Sequence, residues 1–171
     1  MKQIKPEELK DNPFKLIDKD WMLITAEKEG RTNMMTASWG GLAYSGEKML
    51  QPFISVNPAL QKTLLMMVIF FTLCVLGEEY RKQLAYLGKA SGRNEDKVAG
   101  SGLTVEHTDS SAGKVPYFTE SRLVLVCKKL YAQKMDAACF TKYGKDIPAQ
   151  MYSDNDWHTI YVAEIEKVLE K

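Results

Sequence analysis

The chain lacks a hydrophobic run long enough to cross a membrane. Its apolar stretch TLLMMVIFFTLCVL, residues 63–76, is shorter than the roughly 20 residues that a spanning helix needs. Lys62 and Glu78 flank this run, so a longer helix would bury charge. The N-terminal segment MKQIKPEELKDNPF has no apolar region of the signal-peptide kind. We therefore expect a cytoplasmic protein without membrane contact.

Cysteine and histidine are also scarce. Cys74, Cys127 and Cys139 form no CxxC pair, and thiols inside cells stay reduced. We expect all three to be buried structural residues. His107 and His158 lie far apart without metal-ligand spacing, which predicts surface or satisfied core positions and no metal site.

The motifs of several enzyme classes are missing. The sequence has no GxGxxG after a strand, no P-loop and no GxSxG elbow. Its acidic residues show no spacing that selects an acid/base pair, so no catalytic residue is predicted. The formal net charge is +1, with Lys and Arg spread along the chain, and nothing indicates nucleic-acid binding.

What is present indicates one globular domain over residues 1–171. With 45% hydrophobic and 26% charged residues, the composition is that of an average folded protein. Apolar residues alternate with period two in a hairpin with its turn at EKEG and in two later segments, which predicts strands within 20–41, 122–136 and 158–169.

A helix is predicted at 78–88, with Gly88 as its C-cap. Together these elements favour a mostly antiparallel β-barrel with a few helices.

Two polar stretches that contain glycine remain as candidate binding loops. Residues 32–41, TNMMTASWGG, suit a planar, oxygen-rich ligand, with a β-bulge that carries a core Trp as the alternative. In residues 88–104 a backbone turn and two cations suit a phosphate, with a solvated helix-capping loop as the alternative. Composition alone favours the alternative without a ligand for each stretch.

Together the motifs resemble one family. The chain contains, in order, NMMTASWGG, EEYRKQL, LGKASGRNEDKVAGSGLT, PYFTESRLVLVCKKLYAQ and DWHTIYVAEIEKVL. This order and spacing resemble the flavin reductase-like, or flavoredoxin, family of FMN-binding split β-barrels over nearly all of the chain except about residues 43–70. The resemblance implies a homodimeric antiparallel split β-barrel that holds FMN non-covalently near the subunit interface.

The resemblance also implies a set of cofactor-binding residues. The strand end that lines the flavin is expected to comprise Asn33, Met35, Thr36, Ala37, Ser38 and Trp39. The loop near the cofactor is expected to contribute Ser91, Gly92, Arg93 and Lys97. The hydride and electron chemistry belongs to the flavin itself.

The family pattern fails at residues 43–70, where such proteins usually carry an RxxRYT or RxxRFT motif for the FMN phosphate. Lys62 and Thr63 are the nearest substitutes in this sequence, and a Lys offers only a point charge where an Arg forms a bidentate fork. One hypothesis is a frame-shifted translation. Read in another frame with allowed codons, residues 44–69 become FWGKNVAAVYIRQPRFTEDFADDGDF, which restores RxxRFT. The alternative is a genuinely divergent segment, a buried strand and helix.

The resemblance implies a class of activity: an FMN-dependent oxidoreductase that passes electrons between NAD(P)H or a protein donor and flavin or a protein acceptor. A flavin-binding or interaction module without turnover is the first alternative. A pyridoxamine-phosphate-oxidase-like enzyme on a related barrel is the second, and the SWGG and SGRxxDK segments argue against it.

Overall fold

The computed structural model of the protein describes residues 1–45, 49–56 and 68–171. Strands predominate. They are β1 (Lys2–Ile4), β2 (Met22–Lys28), β3 (Arg31–Ala37), β4 (Gly40–Ser45), β5 (Met49–Val56), β6 (Phe70–Val75), β7 (Val105–Ser110), β8 (Gly113–Phe118), β9 (Leu123–Lys134) and β10 (Thr159–Glu170). The α-helices are short: α1 (Arg81–Lys89), α2 (Lys97–Ser101) and α3 (Ile147–Met151). A π-helix (Lys15–Asp20) and 3-10 turns (Pro6–Glu8, Glu78–Tyr80 and Ala137–Cys139) complete the described elements.

Within the described residues, eight strands form one antiparallel sheet, and β7 and β8 form a separate hairpin. The order along the sheet is β3-β2-β6-β9-β10-β5-β4, and β1 pairs with the C-terminal end of β10. The two ends of this order, β3 and β4, are separated in sequence only by Ser38 and Trp39. A linker of two residues spans about 10 Å at most, so the sheet must curl until its ends meet, as in a barrel.

The predicted strands and hairpin are confirmed. β2 and β3 pair in register from Met22↔Ala37 to Lys28↔Arg31. Glu29 and Gly30 connect them with φ values of 53° and 73°. Two-residue hairpin turns with positive φ at both positions match the twist of the flanking strands.

The core has two parts, one on each face of the sheet. Inside the curl, buried apolar side chains from β2, β3, β6, β9 and β10 pack together. On the outer face, Leu84 and Leu87 of α1 pack against Met34 of β3. Because side chains alternate along a strand, β3 contributes Met35 to the first cluster and Met34 to the second, and α1 is fixed against β3.

Two expectations need correction. Gly88 is not a C-cap, because α1 continues through Lys89 and Ala90 caps it. A Cβ at Gly88 would lie 3.4 Å from Thr36 Cβ, so this position faces β3. Cys74 and Cys127 are buried as predicted, but Cys139 is exposed, because the turn that carries it lies on the surface.

The segment that includes the apolar run is described only in part. Val68 packs partly on the core, Ile69 is 57% exposed, and β6 that follows is buried from Phe71 onward. Lys62 and Thr63, together with residues 64–67, lie outside the described residues. None of the helices in the described ranges is long and apolar enough to span a membrane.

Candidate functional site

The side chains of β3 divide between the core and the surface that faces α1. Met35 and Ala37 are 5% and 7% exposed and belong to the core. Thr36 points the other way, and its hydroxyl donates a hydrogen bond to the Leu84 carbonyl of α1 at 2.6 Å. A ligand at this strand could therefore meet Met35 and Ala37 only through their backbone, because their side chains are enclosed.

The structure brings the two predicted stretches together. A Cβ added to Gly92 would lie 2.7 Å from Asn33 Nδ2, which is closer than real Cβ contacts allow. The Asn33 amide oxygen accepts a hydrogen bond from the Met34 backbone N–H at 2.8 Å, which fixes that side chain. Gly92 is thus required by the close approach of its loop to β3, and this contact was not predictable from either stretch alone.

Lys97 is buried rather than available to solvent. It is 4% exposed, and its Nζ donates to the carbonyls of Met34 at 2.6 Å and Leu87 at 2.9 Å. Burial lowers the pKa of Lys97 to about 8, with the nearby Glu95 carboxylate opposing the shift. Among the described residues predicted to lie near a cofactor, Lys97 is the one whose charged group donates hydrogen bonds to protein carbonyls.

The turn before α2 presents different groups. Ser91 organises it, because its carbonyl accepts from the Asn94 N–H at 2.9 Å. Asp96 then caps α2 by accepting from Val98 and Ala99 at 3.0 and 3.1 Å. Arg93 is exposed, and its guanidinium makes no hydrogen bond or ion pair with any residue in the described ranges. The loop therefore holds one cation inside and presents another to solvent.

Trp39 marks the corner where the ends of the sheet meet. It is 44% exposed, and its ring stacks on His158 with centroids 4.9 Å apart and planes inclined by 25°. His158 Nδ1 is buried and finds no hydrogen-bond partner among the described residues. Burial lowers the pKa of His158, opposed by Asp156, so the imidazole is neutral at pH 7.

Further aromatic rings extend from this stack. Tyr152 meets His158 edge-on with centroids 5.4 Å apart, and it stacks on Trp157 at 4.5 Å. Phe140 follows at 6.3 Å from Trp157. The prediction for His158 missed this environment. The sequence DWH just before β10 was only a weak signal for an aromatic cluster, because nothing in this segment shows that Trp39 lies opposite His158.

A cavity of about 210 Å³ lies beside this cluster. It is lined by Gln133, Lys134, Met135, Asp136, Cys139, Phe140 and Ile160. Pockets for ligands of drug-like size occupy about 300 Å³ or more, so this cavity is too small to enclose a flavin nucleotide. The candidate site is the surface at the end of β3, from Asn33 to Trp39 with the loop 91–97, because the two predicted stretches meet there.

Comparison with known proteins decides the family. The model of the flavin reductase like domain matches residues 17–171. The chain belongs to this family. No curated protein matches the sequence.

Solved structures agree on the fold. The flavoredoxin of Desulfovibrio vulgaris (Miyazaki F) has a TM-score of 0.65 at 21% identity, over 100% of this chain and 77% of that chain. An FMN-binding protein from Thermus thermophilus with bound 1-cyclohex-2-enone scores 0.65 at 17% identity, covering 99% and 78%. A protein with a split barrel domain from Shewanella frigidimarina scores 0.66 at 16% identity, covering 96% and 76%. The predicted mostly antiparallel split-barrel fold and the family resemblance are confirmed.

Proposed function

We propose that this protein binds FMN at the end of β3 and passes electrons between NAD(P)H or a protein donor and flavin or a protein acceptor. The observation that carries the proposal is the contact between the two predicted binding stretches, where Gly92 packs on Asn33. Membership of the flavin reductase like family supports the choice of FMN as the ligand. The similarity to the FMN-binding protein from Thermus thermophilus supports the same choice.

The residues present fit such a cofactor in three respects. Trp39 exposes a planar aromatic face, which suits packing against a ring system. His158 keeps a buried nitrogen without a partner among the described residues. Arg93 offers a guanidinium with no partner in those ranges, and such a group binds phosphate in a bidentate manner. When bound, FMN would supply the hydride and electron chemistry.

The chain's own groups would then bind and orient. The neutral imidazole of His158 can either donate or accept a hydrogen bond at Nδ1, according to its tautomer. The side chain of Thr36 is committed to α1, so it would contribute by fixing the strand and not by contacting the ligand. The Asn33 side chain is held by a hydrogen bond from the Met34 N–H, and its amide nitrogen lies against Gly92 of the loop 91–97. No residue is assigned a catalytic role.

A homodimer is part of the same proposal. Near its C-terminal end β9 exposes Leu130 and Tyr131 at 44% and 50%, and α3 exposes Ile147 and Met151 at 40% and 50%. Exposed large apolar side chains are available to an association surface, and two-fold dimers are the commonest soluble oligomers. Light scattering should give about twice the chain mass of 19.4 kDa. A monomer that binds FMN tightly would contradict a shared cofactor interface.

Turnover is tested by NAD(P)H oxidation, measured at 340 nm with and without added FMN. We expect oxidation that depends on FMN and on enzyme concentration. Tight FMN binding without any oxidation of NADH or NADPH would exclude these donors and leave a protein donor or a binding module.

Trp157→Leu provides a matched control for Trp39→Leu, because both remove an indole from the aromatic cluster and only Trp39 lies at the end of β3.

A further inference from the structure

Lys97 joins three elements of the candidate site through one ammonium group. It is the first residue of α2, and its Nζ reaches the Met34 carbonyl on β3 and the Leu87 carbonyl on α1. The two hydrogen bonds measure 2.6 and 2.9 Å, and the side chain is 4% exposed. The lysine therefore ties β3 to α1 at this point, in addition to the Thr36 hydrogen bond and the packing of α1 on β3.

The surroundings of Lys97 favour a role as a donor over a role as a charge. Buried lysines are usually paired with a carboxylate. Glu95 acts on Lys97 electrostatically, but no carboxylate in the described ranges forms an ion pair with it. Carbonyl oxygens accept hydrogen bonds from a neutral amine as well as from an ammonium. The contacts would survive loss of the proton.

The two cations of this loop, Lys97 and Arg93, lie in different surroundings and can have different roles. Two of the three N–H bonds of Lys97 are directed at carbonyls, and the side chain leaves almost no surface to reach a ligand phosphate. Arg93, only four residues earlier, is exposed and has no partner in the described part of the chain. Its guanidinium can meet a phosphate without breaking a contact with any of the described residues.

We propose that Lys97 is a positioning residue, which holds β3 and α1 at the spacing required by the flavin site through the carbonyls of Met34 and Leu87. It does not bind the FMN phosphate. This inference rests on the function proposed above and assigns a specific part of its site.

The test compares two substitutions of similar size. Both substitutions shorten the side chain by one atom. Lys97→Met removes the donor, whereas Lys97→Gln removes the charge and retains an amide donor. Dissociation constants for FMN and for riboflavin, which lacks the phosphate, are measured for each variant and for Arg93→Ala. We expect Lys97→Met to weaken the binding of FMN and of riboflavin by the same factor, about tenfold. Lys97→Gln should keep most of the wild-type affinity for both flavins. Arg93→Ala should weaken the binding of FMN alone.

The pH profile of the wild-type protein gives an independent readout. Because a neutral amine still donates, riboflavin affinity should stay flat between about pH 7 and pH 9.5, across the titration of Lys97. The other titratable groups nearby are Glu95 and Asp96 on its own loop and Tyr86 on α1. A hydrogen bond to Glu95 raises the pKa of Tyr86, so the phenol stays protonated over this range.

Each remaining outcome would overturn the inference. A wild-type protein that binds neither flavin refutes the proposed function, and this inference fails with it. Loss of FMN affinity with riboflavin unchanged makes Lys97 a phosphate ligand. Unchanged affinities in a destabilised Lys97→Met make it merely structural. If Lys97→Met does not fold, the decision falls to Lys97→Gln and the pH profile: a large loss with glutamine, or riboflavin affinity that falls above pH 8, means that the charge itself acts.

Discussion

On the helical side of β3 the candidate site is held by hydrogen bonds to the main chain, whereas at the Trp39 corner aromatic rings pack on one another. Thr36 and Lys97 both donate to carbonyls of α1. Trp39 and His158 meet through ring faces, and Trp39 keeps 44% of its surface exposed. Hydrogen bonds to a helix fix a strand closely, while a half-exposed ring remains available to a ligand. The first side supports the site and the second presents it.

The largest effect that separates these two sides is the pH dependence of stability at Lys97. Its pKa is about 8 in the folded protein against an ordinary 10.5. Between these values the unfolded chain binds the extra proton, so raising the pH stabilises the fold. The gain should be on the order of 3 kcal/mol over this window. Urea unfolding of wild type and Lys97→Met from pH 8 to 10.5 should show the gain in wild type only. A parallel rise in both proteins would assign it to other groups.

A smaller effect is expected at the contact between Gly92 and Asn33. Gly92→Ala places a Cβ against the Asn33 amide, so the amide or the loop must move. We expect flavin affinity to fall by about tenfold and stability by about 1 kcal/mol. Gly144→Ala is the matched control, because a Cβ there would meet no atom closer than 3.4 Å and the position lies outside the candidate site. Adding Asn33→Ala should restore stability to Gly92→Ala. If Gly92→Ala binds flavin normally, this loop does not shape the site.

The smallest effect on stability should come from Arg93→Ala. Since Arg93 is exposed and has no partner among the described residues, the free energy of unfolding should change by less than about 0.5 kcal/mol. FMN affinity should nevertheless fall by several-fold and become less dependent on salt. Isothermal titration at two salt concentrations measures the FMN affinity and its dependence on salt. An unchanged FMN affinity would show that the phosphate lies elsewhere.

Much of the fold could be predicted from the sequence because its signals are local. Period-two alternation located β2, β3, β9 and β10, and the turn at Glu29 and Gly30 follows from backbone sterics. Gly88 was misassigned for a related reason. A glycine near a helix end is commonly a C-cap, and only the approach of Thr36 from β3 explains its presence inside α1.

The arrangement of the candidate site was less predictable because it depends on contacts between distant residues. Asn33 and Gly92 were each selected by resemblance, but their mutual contact spans many residues of chain. The pairing of Trp39 with His158 could not be predicted, because the two segments that carry them lie far apart in sequence and neither indicates the other. The carbonyl partners of Lys97 could not be predicted either, because every residue carries a carbonyl and only the fold selects two.

The frame-shift hypothesis for residues 43–70 stays a prediction. If it is correct, the natural protein carries RxxRFT at positions 55–60, where this sequence reads SVNPAL, and a second cationic grip on the FMN phosphate is available. Sequencing the gene across codons 40 to 75 and mass spectrometry of the natural protein test this directly. Peptides that contain LLMMVIFF from the source organism would end the hypothesis.

The central claim is that FMN binds at the end of β3, and titration of FMN into the purified protein tests it most directly. Visible flavin absorbance and flavin fluorescence are followed for wild type and for Trp39→Leu, with Trp157→Leu as the control. We predict saturable binding at micromolar FMN or below for wild type and for Trp157→Leu. For Trp39→Leu we predict binding at least about tenfold weaker, with little change in thermal stability. No binding by wild type at these concentrations, or equal binding by all three proteins, would contradict the account.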